Sequence, residues 1–172
     1  LFRSGWEKAK SIKLFNNNIY LVSIDWKNIY RHRPGVNWFS AQTSMLENLG
    51  SQILDIAIDG WVYIVEETGK IQRYVSGKTE WEPKWLIINK VPGEYTIWQS
   101  DPLKIVSQNN LVYVYVLSWD RIWILSPDSR RFQDVNSLTY VAQLELETEE
   151  EIRDVSIPRD GSIYVTTNKW VY

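Results

Sequence analysis

The single histidine, His32, is the first place to look for catalytic or metal chemistry in this sequence of 172 residues. It lies in Arg31-His32-Arg33-Pro34-Gly35, where two arginines would repel a metal cation. The sequence therefore favours a solvated basic turn over a catalytic role. Cysteine is absent, which excludes thiol nucleophiles, disulfides and thiolate metal sites together. We predict no catalytic residue, no metal site and no cofactor.

Clustered carboxylates are the next feature that could do chemistry. The acidic run near the end of the chain comprises Glu145, Glu147, Glu149, Glu150, Glu151 and Asp154. It lacks the Asp-x-Asp-x-Asp-Gly spacing of a calcium loop, so it is better explained as a solvated strand edge that resists pairing with other edges. Asp25 and Asp128 lie in serine-containing turns, where an aspartate that caps its own turn is a sufficient explanation.

Ten tryptophans are the most unusual feature of the composition. Trp61 and Trp123 lie inside apolar runs and are predicted to be core residues. Others fall near turns, where an exposed indole can anchor a protein interface or stack on a sugar ring. The candidate binding residues are Trp26, Trp38, Trp81, Trp98 and Trp119. Packing of these tryptophans between sheets is the structural alternative.

Charge is distributed unevenly, although 19 basic and 21 acidic side chains nearly balance. Residues 1–33 hold seven basic and two acidic side chains, and the acidic excess lies further along the chain. Opposite ends could therefore attract each other within a ring or between copies, unless this is ordinary surface charge. The candidate residues for charge-mediated association are Lys8, Lys10, Lys13, Arg31, Arg33, Glu149, Glu150 and Glu151. Nucleic-acid binding is disfavoured by the net charge of −2.

The longest apolar run, at residues 111–117, is too short for a membrane helix.

The strands that position these side chains are indicated by a repeat in the sequence. Four segments combine a turn of Asn, Asp or Gly with an apolar–Tyr–apolar triplet centred on Tyr20, Tyr63, Tyr113 and Tyr164, which are 43, 50 and 51 residues apart. A period of 40 to 50 residues is typical of repeat architectures. The repeats span approximately 11–50, 51–100, 101–148 and 149–172 within one predicted domain, and residues 1–6 could supply a further outer strand.

Each repeat is predicted to be a meander of four antiparallel strands. The first strands are placed at 12–15, 54–58, 103–107 and 152–157, and the second strands carry the tyrosines. Fourth strands are placed near 38–41, 85–89 and 138–146, and period-two alternation favours a strand at 144–151. The capping-box pattern Ser44-Met45-Leu46-Glu47, followed by Gly50, predicts a single helical turn.

The second strands are apolar on both faces, which predicts that each sheet is covered on both sides. Sheets stacked around an axis supply that cover, so the fold class is all-β and the architecture a β-propeller. A two-sheet sandwich is the alternative, but it does not explain the regular period. The stretches at 55–65 and 154–165, Asp-Ile-Ala-Ile-Asp-Gly-Trp-Val-Tyr-Ile-Val and Asp-Val-Ser-Ile-Pro-Arg-Asp-Gly-Ser-Ile-Tyr-Val, resemble blades of NHL-type β-propellers. This resemblance implies the fold and leaves the function open.

The predicted architecture leads to one expectation about ring closure and one about function. The chain is either a closed four-bladed ring or part of a larger propeller, whose open ends would need a partner. We expect a non-catalytic scaffold that binds a protein partner or a second copy, as in a large assembly such as a virion or tail. The alternative is a lectin-like propeller that binds a glycan through loop tryptophans.

Overall fold

The structure is a computed structural model. It describes residues 9–36, 38–67, 70–75, 78–79, 84–85, 87–88, 103–108, 111–127, 137–146, 149–158, 160 and 162–172. Within these ranges every regular element is a β-strand, and the strands form four sheets. The same ranges contain no helix long and apolar enough to cross a bilayer.

The first two sheets are meanders in chain order, with antiparallel neighbours throughout. The first sheet comprises β1 (Ala9–Phe15), β2 (Asn18–Ser23), β3 (Ile29–His32) and β4 (Thr43–Leu46). The second comprises β5 (Ile53–Ile58), β6 (Val62–Glu66), β7 (Lys70–Val75) and β8 (Lys78–Thr79), and β9 (Lys84–Trp85) also pairs with β7.

The third sheet repeats the meander and the fourth is shorter. The third comprises β10 (Ile87–Ile88), β11 (Leu103–Gln108), β12 (Leu111–Leu117), β13 (Arg121–Pro127) and β14 (Ser137–Glu145), with β10 parallel to β14. The fourth pairs β15 (Ile152–Ser156) with β16 (Tyr164–Thr167), and Val171 adds a single bridge to Thr166. The strand–turn–strand unit around each repeat tyrosine is therefore present in all four sheets.

Turn residues explain why these strands reverse where they do. Asn16 and Asn17 join β1 to β2 with φ angles of 46° and 60°. Asparagine tolerates this left-handed region better than most residues. Gly60 has a φ of 113° between β5 and β6, a conformation that a side chain would strain.

The sheets pack face to face in chain order through three apolar cores. Val22 and Ile29 of the first sheet share a core with Ile56 and Ile64 of the second. A second core joins the second and third sheets around Trp123. A third joins the third and fourth sheets. The first strands of the first three sheets lie side by side, because β5 contacts both β1 and β11.

Three sequence predictions about local structure are wrong. Residues 44–46 form strand β4 rather than a helical turn, because β4 pairs with β3, where Tyr30 is opposite Ser44. The fourth strand of the first repeat therefore lies at 43–46 instead of 38–41. The strand predicted at 144–151 stops at Glu145, and the chain then turns through Glu149, whose φ is 71°.

Candidate functional site

Turns and inter-sheet links meet at one end of the sheets. In the first and third sheets, the turn after the second strand bonds to the start of the next sheet: Ile53 N–H donates to Trp26 O over 2.7 Å, and Ile152 N–H donates to Trp119 O over 2.9 Å. In the fourth sheet, Asn168 N–H of the corresponding turn donates to Glu151 O of the link that enters the same sheet. We call this end the linker face, which comprises residues 24–28, 47–52, 118–120, 149–151 and 168–169. The turns that carry Trp26 and Trp119 are therefore held in place by the next sheet.

Asp25 organises the first of these turns. Its carboxylate accepts hydrogen bonds from the Ser23 hydroxyl, the Lys27 backbone N–H and the Asn28 amide. The Ser23 and Lys27 bonds favour the ionised form and hold the pKa of Asp25 below its usual value. Asp160 caps its turn in the same manner through Ser162 N–H at 2.9 Å. The prediction that aspartates cap their own turns is confirmed at Asp25, whereas Asp128 lies outside the described residues.

The Trp26 ring on the linker face is already occupied by a cation. Trp26 has a φ of 61°, and the Lys10 ammonium lies 4.6 Å from the centroid of its ring. A cation at this distance is attracted by the ring quadrupole. Trp26 is half-buried, and its contact with Lys10 leaves less of the ring for a binding partner.

Trp119 is the most exposed tryptophan that the structure describes on the linker face, at 66%. Its turn is closed by Ser118 N–H donating to Arg121 O at 2.9 Å. The neighbouring Arg121 guanidinium lies 3.3 Å from both the Asp120 and the Glu145 carboxylates. An exposed indole thus stands on a fixed turn beside charged groups of both signs.

The other candidate tryptophans lie elsewhere. Trp38 is exposed between β3 and β4, at the end opposite the linker face, with its ring edge-on to Phe39 at 6.0 Å between centroids. Trp81 and Trp98 lie outside the described residues. Trp123 is a core residue as predicted, whereas Trp61 is only half-buried and lies 4.5 Å from the Arg73 guanidinium.

The charged residues predicted for association lie in different environments. Lys13 pairs with buried Asp55, and buried Glu150 accepts the Tyr172 hydroxyl at 2.9 Å. Glu151 pairs with Arg153 at 2.7 Å. Among the remaining candidates, Lys10, Arg33 and Glu149 are exposed and Arg31 is half-buried in β3. Lys8 is outside the described residues.

His32 is buried, so the prediction of a solvated turn is wrong. It is the last residue of β3, and its Nδ1 lies 2.9 Å from the Ser40 carbonyl oxygen. The chain reversal between β3 and β4 brings Ser40 close to His32. The arginines that flank His32 in the sequence do not indicate this contact. Among the residues placed by the structure, no group of three His, Cys, Asp or Glu side chains could hold a metal ion.

Sequence reasoning missed Asp55, which links three sheets. Its carboxylate lies 3.0 Å from the Lys13 ammonium of β1 and accepts the Ile105 N–H of β11 at 3.0 Å. Asp59, at the end of the same strand, accepts the Ser107 hydroxyl of β11. The recurrence of Asp-Ile-Ala-Ile as Asp-Val-Ser-Ile was the available signal, because it marks an inner strand with an acidic residue at one position.

No protein-family model and no curated protein sequence matches the chain. Solved structures do match. Glutaminyl cyclase from Myxococcus xanthus has a TM-score of 0.57 at 10% identity, over 95% of this chain and 70% of that one. A Bacteroides thetaiotaomicron protein of unknown function has a TM-score of 0.57 at 11% identity, over 91% and 42%. YCF48 bound to D1 peptide has a TM-score of 0.47 at 14% identity, over 90% and 45%.

The structural neighbours are β-propellers, and the predicted fold class is confirmed. The chain spans less than half the length of the Bacteroides protein and of YCF48. Identities this low show the fold alone. The resemblance to NHL-type blades therefore remains a prediction.

Proposed function

We propose that this β-propeller is a non-catalytic scaffold that binds other proteins, with Trp119 as its principal contact on the linker face. The observation that carries the proposal is an indole two-thirds exposed on a turn whose backbone is bonded to the next sheet. Tryptophan is enriched among residues that dominate interface energies. A fixed turn also loses little conformational entropy when a partner binds.

A non-catalytic role is supported by how the described polar groups are used. The carboxylates of Asp25, Asp59 and Asp160 cap turns, and that of Asp55 joins neighbouring sheets. The Myxococcus xanthus neighbour is an enzyme by name, but a likeness at 10% identity carries no activity to this chain. A place in a virion or tail is one form that such a scaffold can take, and the proposal does not depend on it.

Replacing Trp119 with alanine is expected to weaken binding of a protein partner by about 30-fold, which corresponds to roughly 2 kcal/mol at an interface anchor. Partners would be captured from cells of the source organism with the wild-type chain, purified, and titrated calorimetrically against each variant. Val36→Ala is the matched control, because Val36 is fully exposed between β3 and β4, away from the linker face. Equal affinity of the wild type and Trp119→Ala would contradict the proposed contact, and failure to retain any partner would contradict the scaffold.

Glycan binding at the same turn is the second candidate function. Trp119 is two-thirds exposed, and Asp120 and Arg121 beside it carry acceptors and donors of the kind that bind sugar hydroxyls. We expect a lectin to bind at least one class of glycan on an array and to lose it in Trp119→Ala. An array with no bound glycan would exclude this alternative.

A further inference from the structure

Two tryptophans of the linker face hold the same place in their repeats. Trp26 and Trp119 each lie six residues after the repeat tyrosine of their sheet, Tyr20 or Tyr113. The carbonyl oxygen of each accepts the N–H of the residue that begins the first strand of the next sheet. Trp170 also lies six residues after its repeat tyrosine, but its carbonyl oxygen closes the turn of its own sheet. Trp26 and Trp119 are therefore the equivalent pair.

A strand bulge supplies the cation that lies over Trp26. The pairing of β1 with β2 shifts between Ala9 and Ser11, so that Lys10 is an extra residue of β1 at this point. The Lys10 ammonium lies 4.6 Å from the centroid of the Trp26 ring, which is within the range of a cation–π contact. A basic residue of the same chain thus occupies the ring of Trp26, and the tryptophan is half-buried.

The described part of the corresponding strand in the third sheet has no such bulge. β11 pairs with β12 residue for residue over Leu103–Gln108. Lys10 therefore has no counterpart among these residues. Lys104, which belongs to the same strand, has its ammonium 3.8 Å from the Asp154 carboxylate. Trp119 keeps the backbone position of Trp26 without the cation, and it is 66% exposed.

The residues around Trp119 carry a larger excess of negative charge than those around Trp26. The turn of Trp119 and the link that bonds to it hold five acidic and two basic side chains in the described residues 118–121, 145–146 and 149–153. The corresponding residues around Trp26 hold two acidic side chains and one basic side chain, at 24–29 and 46–54. Both basic residues near Trp119 pair with carboxylates of the same set. The remaining negative charge favours the approach of a cation.

We infer that a basic side chain of the protein partner, a lysine or an arginine, packs on Trp119 as Lys10 packs on Trp26. This inference rests on the proposed function, since it specifies the chemistry of the partner that Trp119 contacts. The exposed indole supplies the ring, and the surrounding carboxylates favour a cation over a neutral or acidic group. The segment of the partner that meets the linker face is therefore basic.

Titration with a basic peptide tests the inference on the whole chain. The probe is pentalysine, and the control is pentalysine acetylated on every side chain, because acetylation removes the charge and keeps the stem. Indole N–H signals are followed by proton–nitrogen correlation spectroscopy, with Trp26→Phe and Trp119→Phe used to assign two of them. We expect pentalysine to shift the Trp119 signal saturably, and the acetylated peptide to bind at least about fivefold more weakly. The Trp26 signal is expected to stay unmoved in the wild type.

Removal of Lys10 provides a matched test at the equivalent position. Lys10→Ser takes away both the charge and the stem that lie over Trp26, so the Trp26 signal is expected to respond to pentalysine in this variant. Four results would each overturn the inference: a Trp119 signal that pentalysine does not move, equal binding of the acetylated peptide, equal shifts of Trp26 and Trp119 in the wild type, or a Trp26 signal that stays unmoved in Lys10→Ser.

Failure of this inference is distinguishable from failure of the proposed function. The proposed function is tested with the captured partner and Trp119→Ala, and that test does not depend on the charge of the partner. A partner that binds through Trp119 while pentalysine leaves the Trp119 signal unmoved would preserve the scaffold role and reject the basic contact. Binding of pentalysine at Trp119 with no partner retained would support the cation site and contradict the scaffold.

Discussion

Replacement of Asp55 with alanine is expected to lower the free energy of unfolding by about 3 kcal/mol, because it removes a buried carboxylate from an ion pair and from a buried hydrogen bond together. The Lys13 ammonium loses the carboxylate 3.0 Å away, and the Ile105 N–H loses its acceptor. These partners belong to the first and third sheets, so the loss weakens the centre of the stack. Urea unfolding at 25 °C followed by far-UV circular dichroism measures the change.

Asp154 is a matched control for this effect, because it is the equivalent residue of the fourth sheet. Its side chain is 71% exposed against 4% for Asp55, and it lies 3.8 Å from the Lys104 ammonium. Exposed pairs contribute little, so Asp154→Ala is expected to cost no more than about 0.5 kcal/mol. Asp55→Asn, which keeps an acceptor for Ile105 and loses the charge, should fall between the two. Equal stabilities of Asp55→Ala and Asp154→Ala would show that Asp55 does not link the sheets.

The repeat could be predicted because its signal is local and recurs. An Asn, Asp or Gly turn before an apolar–Tyr–apolar triplet specifies a hairpin wherever it occurs, and four copies specify four sheets. Strands that are apolar on both faces then require cover on both sides, which favours stacked sheets. The fold class followed from these two features without any long-range information.

The wrong predictions depended on partners distant in sequence. Ser44-Met45-Leu46-Glu47 favours a helical start locally, but pairing with β3 provides its backbone hydrogen bonds in the folded chain. His32 has arginines as sequence neighbours, yet its hydrogen-bond partner is Ser40. Lys13 and Asp55 are 42 residues apart, and no local pattern relates them.

The candidate site was predictable in residue type and only partly in position. Tryptophan in a turn suggested exposure, and Trp119 is exposed, but Trp26 has the same sequence context and its ring is covered by Lys10. The difference arises from β1, which lies beside the first such turn. Burial of an indole depends on what the neighbouring strand presents, and a repeat pattern leaves those residues unspecified.

Replacement of Trp123 with alanine is expected to lower the free energy of unfolding by about 4 kcal/mol, the cost of removing a large side chain from a packed core. Trp123 is fully buried and belongs to the core that joins the second and third sheets with Val65 and Leu125. Because the surrounding sheets are held by their own hydrogen bonds, they can only partly fill the space that the indole leaves. The same urea unfolding experiment measures the loss, and Trp123→Phe, which leaves a smaller void, should lose about 2 kcal/mol.

Trp119→Ala provides the matched control, since it removes an identical side chain four positions away. Its indole is exposed, so we expect a change within about 0.5 kcal/mol. The pair separates the two roles of tryptophan in this chain: Trp123 should affect stability, whereas Trp119 should affect binding and leave stability unchanged. A loss of several kcal/mol in Trp119→Ala, or a negligible loss in Trp123→Ala, would contradict the packing of the third sheet on which the binding role of Trp119 depends.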